Sequence, residues 1–415
     1  MRRAIELAKL GTGHTNPNPL VGAVIVKDGV IIGEGYHHVY GDLHAERDAL
    51  KNCFEKNNDP AGATIYVTLE PCCHFGKQPP CTHAVKEAGI SKVVIGSRDP
   101  NPLVSGKGTE YLRQNGIEVY EDFLRDECDC INEIFFHYIT TKTPFVALKY
   151  AMTMDGKIAT KTGESKWISG EKSREHAHSL RNKYTCILAG IKTVLADDPM
   201  LNCRIDGGRN PVRIICDSSL KIPLESKIVK TAKDIPTIVA CARNCFENND
   251  GNTTSGGSVL NAGNATNVCN TINTCNTITR ADKIAALEKA GIEVFATAGD
   301  KVDLKEVMKH LSEKGLDSVL IEGGGEINFS ALKAGIVNKV YAYLAPQCFG
   351  GSAASPVGGT GIEKVSDSFK FKITDTKIID GDVLVEFAAS NCKPACAGTP
   401  ACDCNTRTDG SKQEA

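Results

Sequence analysis

At 415 residues the chain is too long for one ordinary hydrophobic core, and 41% hydrophobic with 24% charged residues reads as a globular protein of two domains. A formal net charge of −2 gives no general electrostatic case for nucleic acid or an anionic membrane as partner. No apolar run reaches the length of a membrane span, and the opening MRRAIELAKLG, interrupted by Glu6 and Lys9, is no secretion signal, so a cytoplasmic protein is expected.

That opening predicts a short amphipathic helix. GAVIVKDGVIIGEG (22–35) predicts two strands around Asp28-Gly29, a hairpin turn pair. HAERDALKNCFEK (44–56) predicts a helix and ATIYVTLEPCC (63–73) a strand. Then come a helix through CTHAVKEAG, ended by Gly89, the strand KVVIGS, a helix near GTEYLRQNG and the strand IEVY. Strands alternating with single helices imply an α/β sheet covered by helices.

One helix is expected over LRDECDCINEIFFHYITTKT (124–143), and a second series of strands opens after it. Its members are PFVALKYAMT, TCILAG, VRIICDS, PTIVACA, IEVFAT, SVLIEGG, KVYAYLAPQ and DVLVEFA. The domains are accordingly expected at 1–142 and 143–390. The stretch from about 244 to 280, rich in Asn, Thr, Gly and Ser, is expected to be an inserted mobile loop, and 391–415 a disordered tail.

Eighteen cysteines are many, yet not the density of a disulfide scaffold. Scattered ones such as Cys53, Cys186 and Cys216 read as small buried hydrophobes. Two groups stand apart: Cys72, Cys73 and Cys81, and the tail set Cys392, Cys396, Cys402 and Cys404. The tail spacing matches no standard zinc pair, although a metal-holding or redox-sensing module remains a rival reading.

The first group carries chemistry. One imidazole (His44) and two thiolates from EPCCHFGKQPPC (70–81) are the three ligands of a catalytic zinc with one position open. Cys81 begins a helix, whose N-terminus favours a thiolate. Glu46, two residues beyond His44, stands where it can take and return protons beside the metal. H-x-E followed by P-C and a second Cys is the signature of nucleobase deaminases, here as His44-Ala45-Glu46 and Pro71-Cys72…Cys81 with a widened gap. Cys72 is preferred to Cys73 because it directly follows Pro71. His37, His38 and His83 read as structural or surface histidines.

Farther on, SVLIEGGGEINFSALKAG (318–335) places Gly323, Gly324 and Gly325 between a strand and a helix, where backbone N–H groups can cradle a phosphate. The G-x-G-x-x-G fingerprint is absent, and a tight turn explains the glycines equally well.

The motifs NPNPLVGAVIV (16–26), GEGYH (33–37), HAE (44–46), TLEPCCHFGKQPPC (68–81) and DPNPLVSGKG (99–108) resemble the bifunctional deaminase–reductase family of riboflavin biosynthesis. The resemblance extends through LKYAMTMDGKIA (148–159), GESKWISG (163–170), LRNKY (180–184) and KTVLADDPMLNCR (192–204), and so covers nearly all of residues 1–388. The long loop between the cysteines is typical of that family, although Gln78 stands where a Thr is expected.

The resemblance implies a cytidine-deaminase-like three-layer α/β/α domain followed by a dihydrofolate-reductase-like α/β domain. It implies deamination of 2,5-diamino-6-(5-phosphoribosylamino)pyrimidin-4(3H)-one by a zinc-bound hydroxide, then NADPH-dependent reduction of 5-amino-6-(5-phosphoribosylamino)uracil to the ribitylamino product. His44, Cys72 and Cys81 would hold one zinc and Glu46 would be catalytic. Asn16 or Asn18, His74 and Lys77 would hold the pyrimidine ribosyl phosphate. Ala151, Trp167, Thr193, Asp197, Gly324 and Gly325 would lie along NADPH. Ser165, Arg181, Leu201, Arg204 and Glu322 would hold the reductase substrate, with the arginines suited to its phosphate. A homo-oligomer is implied as well. The rivals are a zinc deaminase acting on another nucleobase, including one in tRNA, with a non-reducing second domain, and a deaminase whose reductase half has decayed.

Overall fold

The computed structural model of the chain describes residues 1–75, 79–102, 104–247 and 279–390. It forms two compact units. The first comprises Met1–Ile187, Asn202–Pro211 and the described part of Met308–Ala415; the second comprises Leu188–Leu201 and Val212–Val307.

In the first unit, the opening helix Arg2–Lys9 precedes β1 (Gly22–Lys27) and β2 (Val30–Tyr36), which pair antiparallel. Asp28 (φ 50°) and Gly29 (φ 79°) are both left-handed, the conformation a two-residue hairpin on right-twisted strands demands. β3 (Thr64–Leu69) pairs antiparallel with β1, then β4 (Lys92–Ser97) and β5 (Glu118–Tyr120) add in parallel, giving the order β2-β1-β3-β4-β5. Alternate residues Ala23, Ile25, Ile65, Val67, Val93 and Ile95 point to one face, where they bury Ala49, Leu50, Val85 and Leu112 from three helices. Each large aliphatic so enclosed contributes on the order of 1.5–3 kcal/mol. The helix Ala45–Glu55 lies directly on β2: a Cβ at Gly35 would stand 2.2 Å from the Ala49 nitrogen. Gly35 thereby sets the depth of the helix that carries Glu46.

The single helix expected over 124–143 is two, Arg125–Ile131 and Glu133–Thr141. Asn132 interrupts them at φ −116°, ψ 20°. Its side chain pairs with the backbone of Leu20, accepting from the N–H at 2.8 Å and donating to the carbonyl at 2.9 Å. Two buried hydrogen bonds outweigh one continued helical turn.

Beyond Pro144, β6 (Phe145–Thr153) begins the second strand series, and β7 (Cys186–Gly190) follows the helix Glu171–Lys183. The second unit carries the three parallel neighbours β8 (Val212–Cys216), β9 (Thr237–Ala242) and β10 (Ile292–Thr297). Arg213 is fully buried there with no carboxylate partner among its hydrogen bonds. It donates to the hydroxyls of Thr237 (2.9 Å) and Thr231 (2.8 Å) and to the carbonyls of Ile228 (3.0 Å), Ile235 (3.1 Å) and Met200 (3.3 Å). Arg213→Met strands those acceptors, and urea unfolding is expected to show a loss of roughly 2–4 kcal/mol.

The chain then returns to the first unit with β11 (Ser318–Ile321), β12 (Lys339–Ala345), β13 (Phe371–Ile379) and β14 (Asp382–Ala389). Their order is β11-β6-β12-β14-β13, parallel across β11, β6 and β12 and antiparallel thereafter. β13 is the strand that the sequence pattern did not signal. It is an edge strand, and a bulge between Ile373 and Asp375 breaks its period of two. Most of the segment expected as a loop over 244–280 lies outside the described residues; its ends are helical at Asn244–Glu247 and from Arg280. The tail from 391 onward also lies outside them. Among the described residues no helix is long and apolar enough to cross a membrane.

Candidate active sites

His44 ends an extended stretch (φ −75°, ψ 157°) as the N-cap of the helix Ala45–Glu55. Cys72 follows β3, and Cys81 is the first residue of the helix Cys81–Glu87. Three separate elements thus converge. The Nδ1 of His44 lies 3.5 Å from the Cys72 sulfur and 3.4 Å from the Cys81 sulfur, and all three donor atoms lie within 4.8 Å of one another. The Cys81 N–H donates to the Cys72 sulfur at 3.3 Å. One imidazole and two soft sulfurs at such spacing fit a tetrahedral zinc with one position free for a ligand.

The electrostatics agree. Hydrogen bonding from Cys81 and the nearby imidazole holds the Cys72 thiol far below its ordinary value, at about 4. Cys81, sharing its proton with Cys72 and buried, is pushed up. Cys73 stands outside the cluster, its thiol raised by burial.

His44 and Cys72 of this cluster line a cavity of about 230 Å³. Glu46 lines it too, only 3% exposed, and burial raises its carboxyl. Asn18 and His74 share the wall, and the Nδ1 of His74 is buried without a hydrogen-bond partner, a polar atom left for a ligand. Asn16 does not line this cavity; its amide donates to Asp317 at 2.7 Å. Lys77, and Gln78 beside it, lie outside the described residues. Of the histidines read as structural, His38 is paired with Asp48 (2.9 Å), and His83 packs beside Phe75 and Tyr111. His37 does line the cavity, fixed by the Leu43 carbonyl (2.8 Å) and facing Asn18 (3.2 Å).

Two carboxylates here were not singled out from sequence. Asp99, after β4, faces the cavity with its carboxyl raised by burial to about 6. Glu70 is buried and accepts the N–H groups of Gly106 (3.0 Å), Gly108 (3.1 Å) and Thr109 (3.3 Å), fixing the start of the next helix. The signal for both was a carboxylate within two residues of a strand's end, in the motifs TLEPCC and DPNPLVSGKG.

Within the same unit, Arg181 and Glu322 meet as a two-pronged ion pair, Nε to Oε1 at 2.7 Å and Nη2 to Oε2 at 3.0 Å, with Lys149 at 3.9 Å. Burial opposes the charge on Glu322, but Arg181 and Lys149 overcome it and hold the carboxyl at about 2. Arg204 is exposed, with a long contact to Asn202 (3.4 Å). Trp167 is 67% exposed, so it is no core residue, and the Arg174 guanidinium sits 4.5 Å above its ring. Ser165 and Ala151 are half-buried. Gly324 caps the helix Gly325–Ala334 with open space beside it, whereas a Cβ at Gly325 would meet the Gly358 nitrogen and Ser355 carbonyl at 2.8 Å. The chain itself therefore requires glycine at 325. In the second unit, Thr193 and Asp197 lie four residues apart on the helix Ile191–Asp197, and Leu201 is buried.

Two family models match successive parts of the chain. Residues 1–97 match the cytidine and deoxycytidylate deaminase zinc-binding region, and residues 144–385 match the RibD C-terminal domain. The class is therefore a two-domain enzyme joining a zinc deaminase to a reductase. The chain is 48% identical to riboflavin biosynthesis protein RibD of Actinobacillus pleuropneumoniae over 390 residues, 93% of this chain and 94% of that one. To RibD of Escherichia coli K12 it is 33% identical, covering 94% and 98% of the two chains. Among solved structures, a diaminohydroxyphosphoribosylaminopyrimidine deaminase/5-amino-6-(5-phosphoribosylamino)uracil reductase from Thermotoga maritima superposes with a TM-score of 0.76 at 38% identity, covering 94% of this chain and 97% of that one. Acinetobacter baumannii RibD gives a TM-score of 0.76 at 33% identity over the same shares. The chain belongs to the RibD family of bifunctional deaminase–reductases of riboflavin biosynthesis, zinc serving the first activity and NADPH the second. The cytidine-deaminase-like and reductase folds expected from the sequence are both present.

Proposed function

We propose that residues 1–142 deaminate 2,5-diamino-6-(5-phosphoribosylamino)pyrimidin-4(3H)-one and that residues 143–390 then reduce 5-amino-6-(5-phosphoribosylamino)uracil to its ribitylamino product. The observation that carries this reading is the clustering of His44, Cys72 and Cys81 at a cavity that His44, Cys72 and buried Glu46 line. When bound, zinc makes a coordinated water acidic enough to serve as a nucleophile near neutral pH. Asn18 and His74 orient the pyrimidine, and Lys77 answers its phosphate. Glu46, its carboxyl raised by burial, takes a proton and returns it to the departing amino group.

In the reductase half, Ser165 and the Arg181–Glu322 pair shape the substrate site, and exposed Arg204 offers its guanidinium to the phosphate. NADPH, when bound, supplies the reducing equivalent, with Ala151, Trp167, Gly324 and Gly325 of the first unit along it. The test is product mass after mixing protein, the diaminopyrimidine ribosyl phosphate and NADPH. The deaminated, reduced product is expected; an unchanged mass with zinc-loaded protein would sink the reading. Stripping the zinc with a chelator is expected to abolish deamination, to spare reduction of supplied aminouracil phosphate, and to be reversed by added zinc.

The same reading places the enzyme in the cytoplasm as a homo-oligomer. Support for self-association comes from β13, where Ile373 (66% exposed) and Ile378 (80% exposed) lie beside Phe387 and Val383 of β14 on one sheet face. Residues 391–415, which follow β14, contain no Leu, Ile, Val or Phe to cover that face. A second copy meeting it about a two-fold axis would cover both the face and the open edge. Sedimentation is expected to give an oligomer, converted to monomer by Ile378→Lys.

A further inference from the structure

The loop 11–20, which carries the cavity residue Asn18, is fastened by residues belonging to the reductase stretch of the chain. Asp317 is 1% exposed. One of its oxygens accepts from the Asn16 amide at 2.7 Å, while the other accepts from the hydroxyls of Thr185 and Ser318 (2.8 Å). The carboxylate is thus locked from its own side and presents a fixed acceptor two residues from Asn18. Asn182 donates to the Thr12 carbonyl at 3.1 Å. Arg209 donates to the Gly13 carbonyl at 2.6 Å and, through its backbone N–H, to the Asn182 side chain at 2.8 Å. The approach is close enough that a Cβ on Gly13 would stand 2.5 Å from the Asn182 carbonyl. A small cavity of about 30 Å³ at this junction is lined by both Asp317 and Asn18.

We propose that Asp317 and Asn182 are positioning residues for the deaminase reaction: reductase-stretch side chains that hold Asn16, and through it Asn18, in register with the pyrimidine. Neither touches substrate, and neither belongs to the reductase machinery described above. A charge-assisted hydrogen bond to the buried Asp317 carboxylate adds to the restraint of the loop's own turns. Displacing a substrate-orienting group by about an ångström can cost on the order of a hundredfold in kcat/KM. This rests on the cavity being the deaminase site.

Full-length, zinc-loaded Asp317→Ala and Asn182→Ala test it, with deamination and NADPH-dependent reduction of supplied aminouracil phosphate measured side by side. The deaminase KM is expected to rise about 10- to 100-fold in each, with kcat changed less than about twofold and reduction unaltered. Asn16→Ala should match the effect, and adding it to Asp317→Ala should bring no further loss, because the two side chains act as one contact. An unaltered deaminase KM in both variants, or a parallel fall of both activities, would overturn the proposal. Glu46→Gln separates the two levels: normal deamination by that variant would refute the cavity assignment itself, whereas its inactivity beside an unmoved KM in Asp317→Ala would refute only the positioning role.

Discussion

Glu46→Gln is expected to lower deaminase turnover about 10²- to 10⁴-fold, the share a positioned proton carrier contributes. Zinc content and reduction of supplied aminouracil phosphate should stay at wild-type levels. The substitution is nearly isosteric, so the buried start of the helix Ala45–Glu55 is preserved and only the proton is lost. The expectation follows from the carboxyl's environment: burial raises it, so the group can hold a proton where an exposed glutamate would have shed it. Metal analysis with both assays separates this outcome from loss of the zinc.

Glu322→Gln is expected to have the largest effect on the other half. It removes the negative partner of Arg181 and leaves half-buried Lys149 with no countercharge from that carboxylate. Breaking a buried pair from one side costs on the order of 3–5 kcal/mol, to be read as a lower denaturation midpoint together with lost reduction. The same pair predicts a pH dependence. Glu322 is held at about 2 against an ordinary 4.5, so its stabilisation is fully present above 4.5 and disappears as pH falls towards 2. Glu133, bracketed by Lys183 (2.7 Å) and Lys339 (3.2 Å) and likewise held at about 2 despite its burial, adds in the same window. Denaturation followed from pH 6 to 2 should therefore show stability falling mainly below about 4.5.

The candidate metal cluster could be picked out in the sequence because it depends on residue type at strand and helix ends, and the structure brings the side chains of His44, Cys72 and Cys81 close together. The alternating strands were legible for the same reason, since burial on one face imposes a period of two. What escaped was long-range. Asn132 breaks a helix to pair with Leu20, and no local pattern names a partner 112 residues away. β13 escaped because its bulge shifts the alternation. Asp99 and Glu70 lay inside quoted motifs, yet only the fold shows that one faces the cavity and the other orders a loop. Arg181 and Glu322 were each read as substrate contacts; that they hold one another is information about two elements 141 residues apart.

The discontinuity of the first unit sets a timetable for the ribosome. The hydrophobic cluster from Ala23 to Ile117 is built wholly of residues made early. Asp317 emerges only after about three quarters of the 415 residues, and β14 is completed at Ala389. At ordinary elongation rates, roughly 20–80 s separate initiation from the last strand. The residues His44, Cys72 and Cys81 are therefore made early, whereas the segment holding Asn16 and Asn18 receives its Asp317 contact only in the last quarter of synthesis.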